Sequence, residues 1–148
     1  MMVVLIIIAL FLLYLLFGKN KPLSGRSTLR INNHPITVEI ADNEISRSRG
    51  LSGREPLDED SGMLFVYSTP GKYSFWMYRM KFPLDFIFIN QEMVVDLIEN
   101  VPPPKTGEIP KVVNAKTDFT QVLEVNAGTI AKYEIQVGQK VSLDLHFK

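Results

Sequence analysis

The chain has 148 residues, no cysteine, and 16 basic against 16 acidic side chains, for a formal net charge of zero. That length suits one domain of ordinary size. The missing cysteine excludes disulfides, thiolate nucleophiles and sulfur-ligated zinc or iron–sulfur centres. The balanced charge argues against a general nucleic-acid binder, which needs a basic surplus to neutralise phosphates.

Residues 1–17, MMVVLIIIALFLLYLLF, are apolar without exception. As a helix they span about 25 Å, slightly under a ~30 Å hydrocarbon core. Gly18 extends that helix, and Lys19 and Lys21 reach toward headgroups along their aliphatic stems. Residues 1–18 therefore read as a single-pass membrane anchor or uncleaved signal, with the membrane as a partner. A cleaved signal peptide would show basic residues before the run and an Ala-x-Ala-like site after it. GKNKPLSGR provides no such site. Residues 19–27 form a linker containing Gly, Pro and Ser, and 28–148 form a single globular domain. Lys19, Lys21, Arg26 and Arg30 precede the first acid, Glu39, and by the positive-inside rule they favour a cytoplasmic domain.

Leu29/Ile31 and Ile36/Val38/Ile40 alternate around Asn32-Asn33-His34-Pro35, which predicts a β-hairpin. Asn43 caps a short helix with Glu44 in its first turn and Arg47 and Arg49 in its last, an order that suits the helix dipole. Gly50 then ends the helix, with Leu51 as its hydrophobic partner. A charged loop follows at 52–61. The apolar runs Met63–Tyr67, Tyr73–Tyr78 and Phe86–Ile89 read as strands, the first two separated by the turn signal Ser68-Thr69-Pro70-Gly71. Val94–Ile98 pairs with Phe86–Ile89 across Asn90-Gln91-Glu92. Pro102-Pro103-Pro104 makes 101–111 an extended loop. Val122–Val125 is a further strand, Asn126 caps a helix reaching about Glu134, and Val141, Leu143, Leu145 and Phe147 close the chain as an alternating strand. The fold expected is α+β, mainly β: a compact curled sheet or partial barrel with two short helices behind one transmembrane helix.

Familiar catalytic signatures are missing from the sequence: no Gly-rich phosphate loop, no His-Glu-x-x-His, no Gly-x-Ser-x-Gly. His34 and His146 stand far apart and read as surface residues, with His146 facing solvent, so no metal site and no cofactor are expected. The informative stretch is GMLFVYSTPGKYSFWMYRMKFPLDFIFIN, residues 62–90, with the lone tryptophan and Met63, Met77 and Met80. Asp85 stands beside a continuous apolar run, so it must be paired, hydrogen-bonded or protonated. Arg49, Arg54 and Arg79 are its candidate ionic partners, and capping of backbone N–H groups is the other structural reading. Glu124 in VLEVNAG shares a face with Val122 and is a second candidate buried acid, with an Arg–Glu pair as its expected satisfaction. Trp76 and Met77 alternate, so one of them points inward, and such residues suit adaptable ligand contacts as well as a core.

VEIADNEISRSRGLSGR, GMLFVY, SFWMY, PLDFIFI, ENVPP, LEVNAG and VGQKV occur in that order over residues 36–141. Together they resemble the family called domain of unknown function 192. The matching positions are Arg49, Gly50, Leu51, Arg54, Gly62, Met63, Phe65, Phe75, Trp76, Met77, Pro83, Leu84, Asp85, Glu124 and Gly128. Tyr78, Arg79 and Met80 replace a Lys-Asn-Thr-like run, and Gln139 stands where the family often has Asp. The resemblance implies a strand-rich prokaryotic domain, often behind an export signal or anchor, with no established activity. That association turns the expected location of the domain to the extracytoplasmic side.

The functional expectation is a membrane-tethered accessory or binding domain. It would capture a small ligand or envelope protein, not nucleic acid, near Arg54, Trp76, Met77, Asp85 and Glu124, with no catalytic residue assigned. The alternative is a hydrolase acting on envelope carbohydrate or peptide through Asp85 and Glu124. It requires the two carboxyl groups in one cleft, roughly 5–9.5 Å apart for glycosidase chemistry.

Overall fold

The computed structural model describes residues 27–145. The expected anchor, most of the linker, and His146 and Phe147 lie outside the described residues. No helix among those described is long and apolar enough to cross a membrane.

The first hairpin joins β1 (Ser27–Ile31) to β2 (His34–Ala41). Its turn is only Asn32-Asn33, at φ 47° and 72°. Two left-handed residues twist a two-residue loop to match its strands, and asparagine tolerates that conformation better than most side chains. His34 and Pro35 therefore belong to the strand and not to the turn. Helix α1 (Glu44–Arg49) starts on Asn43, whose side chain accepts from the Ser46 N–H at 3.0 Å. The Ser46 hydroxyl answers by accepting the Asn43 N–H at 3.2 Å. Such reciprocal capping satisfies two otherwise orphaned donors. Gly50 ends the helix at φ 47° with the Phe65 ring 3.4 Å from where a β-carbon would sit.

The chain returns in β3 (Ser61–Gly71), parallel to β2. The expected turn at Ser68–Gly71 is absorbed into this strand. Its register against the later strand Phe119–Asn126 breaks between Val66 and Gly71, so Pro70 has no ladder bond to lose there. Strand β4 (Ser74–Trp76) pairs with β7 (Val112–Asn114), a strand absent from the sequence reading, to make a separate two-stranded ribbon. Strands β5 (Leu84–Asn90) and β6 (Met93–Val101) form a second tight hairpin, turning on Gln91-Glu92 at φ 48° and 61°. Strand β8 (Phe119–Asn126), helix α2 (Thr129–Lys132) and β9 (Val141–Asp144) complete the described chain. Helix α2 is shorter than expected and begins on Gly128. The Asn126 side chain is engaged elsewhere, bonding both backbone groups of Leu57 at 2.8 and 3.2 Å. It pins the charged loop to the sheet instead of capping the helix.

The main sheet has seven strands in the order β6-β5-β8-β3-β2-β1-β9. It curls until its edges meet: Met93 bridges Lys140, and the Val141 N–H donates to Glu92 at 2.8 Å. The result is a mainly-β partial barrel with two short helices. Alternation along each strand divides the core. Leu29, Ile31, Val38, Leu64, Ile87, Leu123 and Val125 fill the inside of the curl, capped by Ile130 and Ile135. Met63, Phe65, Phe86, Phe88 and Val122 face outward, where the ribbon lays Phe75, Met77 and Val113 over them. Phe75 is the hub, its ring 5.5–6.2 Å from those of Phe65, Phe86, Phe88 and Phe119. These separations suit edge-to-face and offset aromatic contact.

Candidate functional site

Glu124 sits in mid-strand on β8, opposite Met63 of β3 and Phe86 of β5. Its side chain therefore points to the outer, aromatic face of the sheet. Gly62 sets the approach of β3 to β8: a β-carbon there would lie 2.8 Å from the Glu124 carbonyl oxygen. Glu124 is 6% exposed. It has no hydrogen-bond or ion-pair partner among the described residues, and burial alone pushes its carboxyl up to about 8. An acid in such a site keeps its proton at neutral pH, since a bare buried carboxylate is far costlier than a buried carboxylic acid.

A cleft of 240 Å³ opens above this carboxyl. The turn of α1 and its exit, Arg47 to Ser52, form one wall, while Phe65, Tyr67, Phe75, Trp76 and Tyr78 supply five aromatic rings. Trp76 is 62% exposed, and its ring lies 5.6 Å from that of Tyr78. Arg47 is held in place, donating to the Val66 carbonyl at 2.8 Å with its guanidinium 5.0 Å above the Tyr67 ring. Burial pushes the Tyr67 hydroxyl up from its usual range, with Arg47 opposing. Arg49 projects from the same wall without an ion-pair partner among the described residues. The volume lies below the ~300–1,000 Å³ of drug-sized sites, so one compact molecule or one side chain fits.

The five residues singled out from the sequence do not form one constellation. Trp76 and Glu124 share the cleft. Met77 is fully buried in the outer core, its N–H bonded to Lys111, so of the Trp–Met pair it is methionine that points inward. Arg54 does not reach Asp85; it lies on the surface in a two-pronged bond to Glu39 at 2.7 and 2.9 Å. That bond holds the Glu39 carboxyl below its usual range. Asp85 is completely buried on the other face of the sheet, in register with Val125. Its carboxyl oxygens accept the N–H of Asn100 at 2.8 Å and of Ile130 at 3.0 Å. Of the readings open for Asp85, backbone capping is the one observed, and it fastens the first turn of α2 to β5. Glu124 likewise lacks the arginine partner expected for it.

The paired-acid hydrolase fails on this geometry. Asp85 and Glu124 are one register step apart on adjacent strands and so project from opposite faces, and Asp85 has spent its oxygens on backbone donors. Asp96 is a further buried acid that the sequence reading passed over, accepting the Lys116 N–H at 2.7 Å. The same signal marked it, an acid set in the apolar run VVDLI. Arg47, Tyr67 and Tyr78 were also missed as cleft residues. Arg47 satisfied a helix-dipole argument and the tyrosines a core argument, and neither argument shows that a turn of helix and a ribbon meet over one strand. His34 is half-buried against Tyr133, with ring centroids 4.6 Å apart. Among the described residues no three of His, Asp and Glu converge as metal ligands. A larger, open groove of 560 Å³ lies between the two hairpin turns, lined by Asn32, Asn33, Gln91 and Glu92, all exposed to water. Nothing buried and unpaired lines it.

Fold and site thus define a small partial-barrel domain with an aromatic cleft over one orphaned acid. The family model for domain of unknown function 192, described as an uncharacterized ACR, matches residues 27–143, and the chain belongs to that family. No curated protein matches it. Two crystal structures are similar. One is a protein of Sinorhizobium meliloti 1021 described as a candidate transcription regulator, 28% identical at a TM-score of 0.70, covering 80% of this chain and 95% of its own. The other is a protein of unknown function from Novosphingobium aromaticivorans DSM 12444, 29% identical at a TM-score of 0.68, covering 78% and 82%.

Proposed function

We propose that this chain is a binding domain held at a membrane by residues 1–18, on the extracytoplasmic side, and that the Glu124 cleft receives its ligand. One observation carries the reading: Glu124, 6% exposed as a residue and unpartnered among the described residues, opens into a cleft. Burial penalises the charged form of this acid, so folding gains nothing from its ionisation there. A ligand supplies the missing hydrogen bond on binding. The exposed Trp76 and Tyr78 rings beside it offer rigid apolar contact with little entropy to lose. The regulator description of the Sinorhizobium protein is not extended to this chain, whose charges balance and whose cleft is too small for a nucleic-acid groove.

Native mass spectrometry of the full chain, released from detergent micelles, tests this reading. The expected result is a bound species retained by the wild type and lost from Trp76→Ala at unchanged melting temperature. The same species on both proteins, or none on either, refutes it.

A further inference from the structure

The charges around the cleft go beyond the statement that something binds. The ionisable groups that line the cleft around Glu124 can be named. Helix α1 contributes Arg47 and Arg49, β3 contributes Tyr67, and Tyr78 follows β4; β5 contributes the apolar Phe86 and β7 the apolar Val113. Two arginines therefore line the cleft of an acid whose carboxyl burial pushes up to about 8. Although Arg49 also acts on Glu39 outside it, no further acid among the described residues lines the cleft, so positive charge predominates there around neutral pH. A cation would have to pass both arginines and strip a proton from Glu124. An anion meets the arginines first and then an O–H donor beneath them. The rings require something more than charge: an inorganic anion leaves them uncovered, whereas an organic acid with a short apolar stem covers them.

The geometry points to a carboxylate on a short apolar stem as the ligand, its oxygens held by the arginine wall and by the Glu124 hydroxyl, its stem against the Trp76 and Tyr78 rings. A guanidinium fork matches a carboxylate in two parallel bonds. Arg49 makes no ion pair among the described residues, and Arg47 is already oriented by Val66 and Tyr67. Two sources share this chemistry, a free branched organic acid and the C-terminal residue of a peptide. The inference rests on the cleft being the binding site, as proposed above.

The chain contains one tryptophan, and it lines the cleft, so its emission reports occupancy without background from another indole. The full chain in detergent is titrated with isovalerate, its neutral isostere isovaleramide, the cation isoamylammonium, inorganic phosphate, and glycyl-leucine as acid and as amide. Isovalerate is expected to shift the emission saturably, with isoamylammonium and phosphate at least about tenfold weaker, a difference of ~1.4 kcal/mol. One-proton linkage through a group titrating at about 8 weakens isovalerate about tenfold between about pH 7 and pH 9. In Glu124→Gln that ratio falls to about one, while Arg49→Gln weakens binding at both pH values by about tenfold. Tighter binding of glycyl-leucine acid than of isovalerate assigns the site to a peptide terminus, and the reverse order to a free acid; either outcome supports the inference.

Preference for isoamylammonium, or affinity that rises with pH, overturns it, as does phosphate equal to isovalerate or no saturable shift from any probe. The mass-spectrometric result separates the two levels. A Trp76-dependent bound species with no response to isovalerate leaves the binding site standing and removes the carboxylate.

Discussion

Two buried acids of the main sheet, Asp85 on one face and Glu124 on the other, are treated in opposite ways. Inside the curl the lining is aliphatic, and its acid, Asp85, is bonded to two backbone N–H groups. Outside, the lining is aromatic; one acid there, Asp96, opposite Phe88, is also bonded to backbone N–H groups, but the other, Glu124, has no such partner and opens to a cleft. Asp85 and Glu124 both lie within strands of the main sheet, both are almost wholly excluded from water, and both belong to motifs of one family pattern. The contrast separates burial from availability. An acid whose oxygens are already taken by N–H donors serves as a fastening, whereas an acid left unpaired holds a hydrogen-bonding capacity that only a visitor can use.

The sharpest way to break that contrast is to give Glu124 a neutral isostere. Because burial raises its carboxyl from 4.5 to about 8, the folded protein binds more protons than the unfolded chain between those values. Its contribution to stability is therefore greatest below about pH 4.5, falls as pH rises, and levels off above about pH 8. Glu124→Gln removes this loss, so the variant should exceed the wild type by on the order of 4 kcal/mol near pH 9, at ~1.36 kcal/mol per unit. Near pH 4.5 the two should unfold together. Urea unfolding across pH measures the gap, and a gap that does not widen with pH would mean Glu124 is paired after all.

Asp85 should answer in the other direction. Asp85→Ala leaves the Asn100 and Ile130 donors unpaired in a dry site, and each such bond to a charged acceptor is worth about 1.5–3 kcal/mol. A net loss of about 3 kcal/mol is expected, with Asp85→Asn recovering part of it through its remaining oxygen. Hydrogen exchange at Ile130 should accelerate more than exchange in β1 or β2, because α2 loses its tie to β5 before the sheet opens. Equal acceleration everywhere would show that Asp85 does not act as a local fastening.

Much of this was legible in the chain. Period-2 alternation and paired apolar runs revealed the hairpins, and Asn43 with Glu44 marked the start of α1, because those signals are local. That Asp85 stands in buried surface, and that Glu124 is buried if its face turns inward, also followed from their apolar neighbours. Which face each occupies did not, since that depends on the register of β8 against β5, and one step inverts a side chain. The ribbon was out of reach for a related reason. Strands β4 and β7 have three residues each and stand 35 positions apart between Trp76 and Val112, too short for periodicity and too distant for a turn signal. The cleft depends on that pairing, so only one of its walls was visible in advance.

Arg54 gives the smallest expected effect, and it tests how far the distinction reaches. It matches the family pattern and was a natural partner for Asp85, yet it forms a two-pronged bond to Glu39 with its own side chain 36% exposed. A pair that water reaches on both sides stabilises by about 0.2–1 kcal/mol, with two-pronged geometry toward the upper end, because solvent screens the charges and the long side chain loses freedom. Arg54→Ala should therefore cost less than about 1 kcal/mol near neutral pH. Glu39 titrates below its ordinary 4.5 in the folded protein, so that small contribution is present above this value and disappears as pH falls through the lowered one. Ligand response at Trp76 should be unchanged in this variant, since Arg54 does not line the cleft. A large loss of that response with little loss of stability would move the site toward Arg54 and join the two surfaces that the structure keeps apart.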